Sequence, residues 1–221
     1  IPNRKVSIYT EGCLIAFMAD VLIRRATENR NSLDDVMRIL YNDFGKKRRG
    51  YSEKDIYRII EKVAERPMNE FLDQYAYGRT DFRPMLEECL EYLGLKIKES
   101  DSVKYTETYL GFKSTEEGDK AIVRAIYPGS IADIAGLMLN DQIIAVNGNR
   151  VSNNMDNWCR FYAKEEKTEI TLTIFSSFRQ KELIIKPGIS LGFKNYAVEK
   201  AKDLIQHQET SFKLWAGLSV Y

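Results

Sequence analysis

Few side chains in this chain are equipped for catalysis. Of its 221 residues one is a histidine, His207. A zinc peptidase of the HExxH type needs a pair of imidazoles, and a serine or cysteine triad needs an imidazole to carry the proton. His207 lies alone in a stretch of helical spacing near the end of the chain, where a surface or packing role is expected. No GxGxxG or P-loop pattern occurs. The acid pairs Asp34-Asp35, Glu87-Glu88 and Glu165-Glu166 are sequence neighbours, which do not share a helix face and so make poor acid–base couples. The three cysteines, Cys13, Cys89 and Cys159, are far apart and form no CxxC, which argues for small buried thiols and against a disulfide framework or a zinc site. One stretch does carry binding chemistry. In Tyr109-Leu110-Gly111-Phe112, a glycine loop before a strand can point successive amides inward as an anion nest.

The elements that must position this loop are legible on both sides of it. Residues 1–96 read as helical. Glu11 to Arg25 places Leu14, Phe17, Met18, Val21 and Leu22 on one face. Ser32 starts a second helix with Leu33, Val36, Met37, Leu40 and Phe44 inward and Gly45 at its end. Ser52 caps a third that buries Ile56, Ile59, Ile60 and Val63. Pro67 opens a fourth with Phe71, Leu72 and Tyr75 inward. Pro84 starts a fifth with Leu86, Cys89, Leu90 and Leu93 inside and Gly94 closing. Lys46-Lys47-Arg48-Arg49 between two of these helices is read as a solvated turn. Lys96 to Lys104 is polar and charged and reads as a linker.

After it the periodicity changes to that of strands. Ala121-Ile122-Val123 is an apolar run, and Pro128-Gly129 a turn. Ser130 is an N-cap for a short helix that Gly136 ends. Asn147-Gly148 between apolar strands signals a hairpin. Met155 to Ala163 reads as a helix, and Ile170 to Phe175 and Lys181 to Ile185 as closing strands. A tail helix is expected over Val198 to Trp215, packed back onto one of the two domains. The expected fold class is therefore α+β with two domains: a helical segment over 1–96, a β-rich module with two helices over 97–188, and a tail over 189–221.

Composition bounds the partners. Lys and Arg number 33 against 32 Asp and Glu, so the net charge of +1 gives no case for nucleic acid or an anionic membrane. No apolar run approaches the ~20 residues of a membrane span. The chain starts at Ile1 without a methionine, and the expectation is that its true N-terminus lies further upstream. The compartment, cytoplasmic or exported, stays open.

The order from Tyr109 to Lys186 resembles a PDZ domain. Leu110-Gly111-Phe112 matches its carboxylate-binding loop, Ser130 to Leu137 its first helix, and Asp141 to Gly148 the strands and turn that follow. The resemblance implies that a peptide or protein C-terminus adds as a strand, with its carboxylate in the nest of Leu110, Gly111 and Phe112 and with Tyr109 before it. Asp156, Arg160 and Ala163 of the second helix would face the groove. Arg160 departs from the usual apolar wall. It would either favour an acidic peptide side chain or block the groove through an ion pair with Asp156 four residues earlier. A PDZ that serves only as a spacer is the alternative. Leu191-Gly192-Phe193-Lys194 repeats the tetrapeptide Leu110-Gly111-Phe112-Lys113 without a module behind it and reads as a tail strand or turn.

A second resemblance takes in nearly the whole chain. Tyr9-Thr10-Glu11-Gly12 leading into an apolar helix, Ser32 to Met37, Phe71 to Leu95, then a PDZ-like module and a tail reaching Trp215 resemble, in this order, the C-terminal part of the glycyl aminopeptidase family of gluzincin metallopeptidases. That family hydrolyses peptides with a zinc-activated water. The resemblance places Tyr9 at the tyrosine that hydrogen-bonds the tetrahedral oxyanion. Glu11 stands where the family usually has Lys, a charge reversal beside the expected site. The family's zinc ligands precede this position, so the resemblance implies zinc in a longer parent protein, no metal in this chain, and the missing N-terminal catalytic part as a partner. The competing reading is a non-enzymatic PDZ scaffold or binding protein for partner C-termini.

Overall fold

The computed structural model describes residues 8–164, 169–188 and 191–218. Glu165 and Glu166 lie outside them. The chain divides into two compact units: one holds the helices up to Lys98 and returns from Val198 onward, and the other holds Glu99–Ala197.

The helical unit is built from amphipathic stretches with local start signals. Helix α1 (Ile8–Ala26) buries Met18, Val21 and Ile23. Helix α2 (Leu33–Leu40) runs into a π-helical turn, Tyr41–Gly45, in which the Lys46 amide donates to the Tyr41 carbonyl at 2.8 Å. Of the expected stripe on α2, Val36 and Phe44 are buried, but Met37 is 57% exposed. It sits a third of a turn from Val36, too far round to share so short a helix's buried face. The basic run that follows braces this turn: Lys46 lies over the Tyr41 ring and Arg49 over the Phe44 ring at 4.7 Å, and Lys47 pairs with Asp43 at 3.6 Å.

Helix α3 (Glu53–Ala64) begins in a reciprocal cap. The Ser52 hydroxyl accepts from the Asp55 amide at 3.3 Å, and the Asp55 carboxylate accepts from the Ser52 amide at 2.9 Å. The Ser52 amide and the Ser52 hydroxyl, which donates to the same carboxylate at 2.7 Å, together with Arg58 nearby, hold the Asp55 carboxyl below its ordinary value of 3.8. A carboxyl lowered on folding stabilises the fold above its unfolded pKa, and this contribution is lost as pH falls through the folded one. Asp55→Ala is therefore expected to lower the urea midpoint at pH 7. The gap to the wild type should narrow as pH drops below 3.8. A gap that stays constant down to pH 2 would rule out a charged cap.

Helix α4 (Asn69–Tyr75) buries Phe71, Leu72 and Tyr75, and α5 (Phe82–Tyr92) buries Cys89 and Leu90. Asp81 caps α5, accepting from the Arg83 amide at 3.0 Å, with Pro84 in the first turn. Burial pushes the Cys89 thiol up to about 12, which leaves it inert. No described helix is long and apolar enough to cross a membrane.

Most of the expected linker is a strand. β1 (Leu95–Asp101) pairs with a strand near the end of the chain, described below. Its lysines and acids look like linker sequence because one face of this ribbon carries charges for cross-strand pairing rather than for solvent alone.

The sheet unit follows. β2 (Phe112–Glu117) and β3 (Lys120–Ile126) form a hairpin, with Phe112 opposite Ile126 and a register shift after Lys113. Helix α6 (Ile131–Ile134) is capped by Ser130, whose hydroxyl accepts from the Asp133 amide at 3.3 Å. β4 (Gln142–Val146) turns at Asn147-Gly148, both with positive φ, into the short β5 (Asn149–Arg150). Helix α7 (Met155–Ala163) then precedes β6 (Ile170–Ser176) and β7 (Arg179–Ile185). The antiparallel sheet has the order β2-β3-β4-β6-β7, with β5 attached to β4. Its core includes Leu110, Phe112, Val123, Ile143, Met155, Cys159 and Leu172, each no more than 1% exposed.

The chain leaves through β8 (Lys194–Lys200), which pairs with β1, and ends in α8 (Gln206–Trp215). Lys96 and Lys98 reach Glu199 across this ribbon at 3.4 and 3.2 Å. The tail helix is thus shorter than expected. Val198 to Lys200 belongs to β8, and the Ala201 amide donates to the Gly94 carbonyl at 2.9 Å, so pairing overrides helical spacing there. Helix α8 packs on the helical unit: Trp215 meets the Phe17 ring edge-on at 5.6 Å, and His207 meets Tyr92 at 4.8 Å.

Candidate functional site

In the sheet unit the candidate groove runs between β2 and α7. The outer edge of β2 pairs with no other strand among the described residues, because β2 ends the sheet. Glu116 near the far end of β2 comes within 3.5 Å of the Met155 amide at the start of α7. β2, whose outer edge has no strand partner among the described residues, and α7 therefore come together at this end.

The loop at the head of the groove is not the open nest that its sequence suggests. Thr106–Leu110 forms a second π-helical turn. The Gly111 amide closes it by donating to the Thr106 carbonyl, so that amide is already used. Gly111 has φ +80°, and its own carbonyl accepts from the Tyr127 amide at 2.7 Å and from the Ser130 hydroxyl at 3.3 Å. Leu110 and Phe112 are both fully buried in the core, and Tyr109 is half exposed, stacked on Tyr105 at 4.9 Å.

On the helix side, α7 turns Met155 and Cys159 into the core and Asp156 and Arg160 onto the next face, while Ala163 also packs on the core. Asp156 and Arg160 do meet, at 3.3 Å. Each also binds a segment whose part sequence reasoning missed. Asp156 Oδ1 accepts from the Thr106 amide at 2.8 Å and from the Thr106 hydroxyl at 3.0 Å, and Arg160 Nη2 donates to the Val103 carbonyl at 2.7 Å. Val103 and Thr106 carry no pattern that announces this, because the partners are more than 45 residues away and two of the bonded groups are backbone atoms. Burial pushes the phenol of the neighbouring Tyr105 up, and Cys159 adds to the effect.

The repeated tetrapeptide comes to rest on the first copy. The Phe193 amide donates to the Glu107 carbonyl at 2.9 Å, the Phe193 ring meets Tyr127 edge-on at 5.5 Å, and Lys113 Nζ lies over the same ring at 4.8 Å. A side chain on Gly192 would collide with the Thr108 carbonyl.

In the helical unit, Tyr9 lies in the first turn of α1 and is 87% exposed, with Glu11 exposed beside it. Among the described residues no three His, Cys, Asp or Glu side chains gather in a way that could hold a metal ion. The donor set present therefore does not fit a zinc site.

Comparison with known proteins bears on both units. The family pattern for the PDZ domain matches residues 122–174. A probable CtpA-like serine protease of Staphylococcus aureus (strain COL) is 24% identical over 161 residues, 72% of this chain and 28% of that protein. Among solved structures, an aminopeptidase N family protein from Idiomarina loihiensis superposes with a TM-score of 0.77 and 20% identity over 95% of this chain and 36% of its own. A PDZ domain protein from Parabacteroides distasonis ATCC 8503 aligns over 50% of this chain, but at a TM-score of 0.30 it bears no weight. The chain spans about a third or less of the serine protease and of the aminopeptidase N family protein. At this level of identity the superposition speaks for the fold, a helical part followed by an antiparallel sheet module with helices, and the family match shows that a PDZ domain is present.

Proposed function

We propose that this chain is the C-terminal part of a zinc-dependent, aminopeptidase-like metallopeptidase, with a PDZ domain that handles peptide or protein C-termini. The observation that carries the reading is the superposition of 95% of the chain, helical unit and PDZ domain in the same order, on an aminopeptidase N family protein. The likeness to a probable CtpA-like serine protease supports a peptidase setting. The metal would be held by residues outside this chain. Within it, Tyr9 is the reacting-centre candidate. Its phenol is exposed on the first turn of α1, so it is accessible to a site contributed from elsewhere. A phenol O–H that donates to an oxygen strengthens as negative charge builds there, which favours the transition state over the ground state.

The second reading is a non-enzymatic PDZ scaffold. It is favoured by a family match confined to the PDZ domain. The coding sequence upstream of Ile1 separates the two. An in-frame HExxH with a later Glu supports the peptidase, and its absence leaves the scaffold. In the protein carrying those residues, Tyr9→Phe is expected to lower kcat about 10²-fold with KM little changed. Unchanged kcat would remove Tyr9 from the mechanism.

A further inference from the structure

Resting on the reading of the PDZ domain as a peptide handler, we propose that Ser102 to Thr108 is an intramolecular plug, and that this segment must leave before a peptide C-terminus can enter the groove. A ligand there would use three things: the free edge of β2, the amides of the loop, and the exposed face of α7. The segment takes up two of them. The Gly111 amide closes the π-helical turn onto Thr106. On α7, Asp156 holds the Thr106 amide and hydroxyl, and Arg160 holds the Val103 carbonyl. Thr106 is 1% exposed, so a polar side chain has been buried to make this contact, which is tolerable only while its bonds to Asp156 are kept.

The plug is also a folded object in its own right. The Thr108 hydroxyl donates to the Ser102 carbonyl at 2.8 Å, and the Ser102 hydroxyl donates to Glu107 at 3.0 Å. Glu107 is within 3.6 Å of Lys104 and 3.9 Å of Lys113. From the other side, the second Leu-Gly-Phe copy holds it through the Phe193 amide. The third element, the β2 edge, remains unpaired among the described residues. A groove with its strand edge free and its helix face and loop amide engaged by its own chain has a closed form and a latent open one.

The test keeps α7 and the loop intact and alters only the plug. Val103→Gly/Lys104→Ser/Tyr105→Gly/Thr106→Ala, which removes the hydroxyl that Asp156 accepts and loosens the backbone that carries the other bonds, is made in the full chain. Binding is read as capture on a surface bearing a ten-residue peptide pool, randomised over its last four positions, with a free C-terminal carboxylate. A matching amidated pool is the control. The expected result is at least tenfold more capture of the variant than of the wild type, abolished on the amidated pool. Hydrogen exchange of the β3, β4 and β6 amides checks that the sheet is intact. If that protection is lost, Thr106→Pro serves instead, since it removes the amide that Asp156 accepts and disfavours the α conformation of Tyr105. Equal capture of wild type and variant on the free-carboxylate pool overturns the plug and leaves the peptide-handling role standing. No capture of either, with the sheet protected, overturns that role and the plug with it.

Discussion

Phe112→Ala is expected to cost the sheet unit about 3–5 kcal/mol, two or more orders of magnitude in its folding equilibrium. Phe112 is fully buried and opens β2 opposite Ile126. Its ring lies in the same core as Leu110, Val123, Ile143 and Cys159. These neighbours are held on separate strands and a helix, so they cannot collapse together to fill the space that the ring leaves. The measurement is a urea titration followed by tryptophan fluorescence. The chain has two tryptophans, and Trp215→Phe leaves Trp158 on α7 as the reporter of the unit that carries the lesion. A loss under about 1 kcal/mol would mean that Phe112 is not a core residue.

Gly111→Ala should be nearly as damaging, at about 2–5 kcal/mol, although it adds only one methyl group. Two costs combine. Gly111 has φ +80°, where an alanine costs roughly 1–2 kcal/mol. Its Cβ would also stand 2.7 Å from the Leu191 carbonyl oxygen and closer still to the Ser130 side chain, and overpacking of this kind costs about 1–3 kcal/mol. The obstacles are a backbone oxygen and a helix-capping serine, neither of which can swing aside. The same titration, read at Trp158, measures it. Gly118→Ala is the control, since it also has positive φ, +66°, but a Cβ there meets nothing within 4 Å. It should therefore show the conformational cost alone. If the two variants lose the same amount, the close approach of Leu191 and Ser130 to Gly111 is wrong.

Much of the fold was legible because its signals are local. Ser52 and Ser130 cap helices because a hydroxyl at that position reaches an amide three residues on, whatever surrounds it. Asn147-Gly148 turns the chain because both residues accept positive φ. Met155 to Ala163 forms a helix at the limits that its spacing gives. The misreadings arose where a distant partner outweighed local pattern. Lys96 to Asp101 looks like a linker until β8 lies beside it, and Val198 to Lys200 looks helical until β1 does.

For the candidate site the division is sharper. The sequence alone determined which residues are available: a tyrosine at the head of an apolar helix, a glycine loop before a strand, and an Asp–Arg pair one helical turn apart. These follow from residue type and short-range geometry, which the chain carries everywhere with it. Only the tertiary structure decided what those groups do. It placed Thr106 on Asp156 and Val103 on Arg160, set the second Leu-Gly-Phe against the first, and spent the Gly111 amide within its own turn. Hydrogen bonds between residues 50 or more positions apart, as Thr106 to Asp156 and Val103 to Arg160 are, have no periodicity to reveal them. Their geometry exists only once the strands and helices between them have packed.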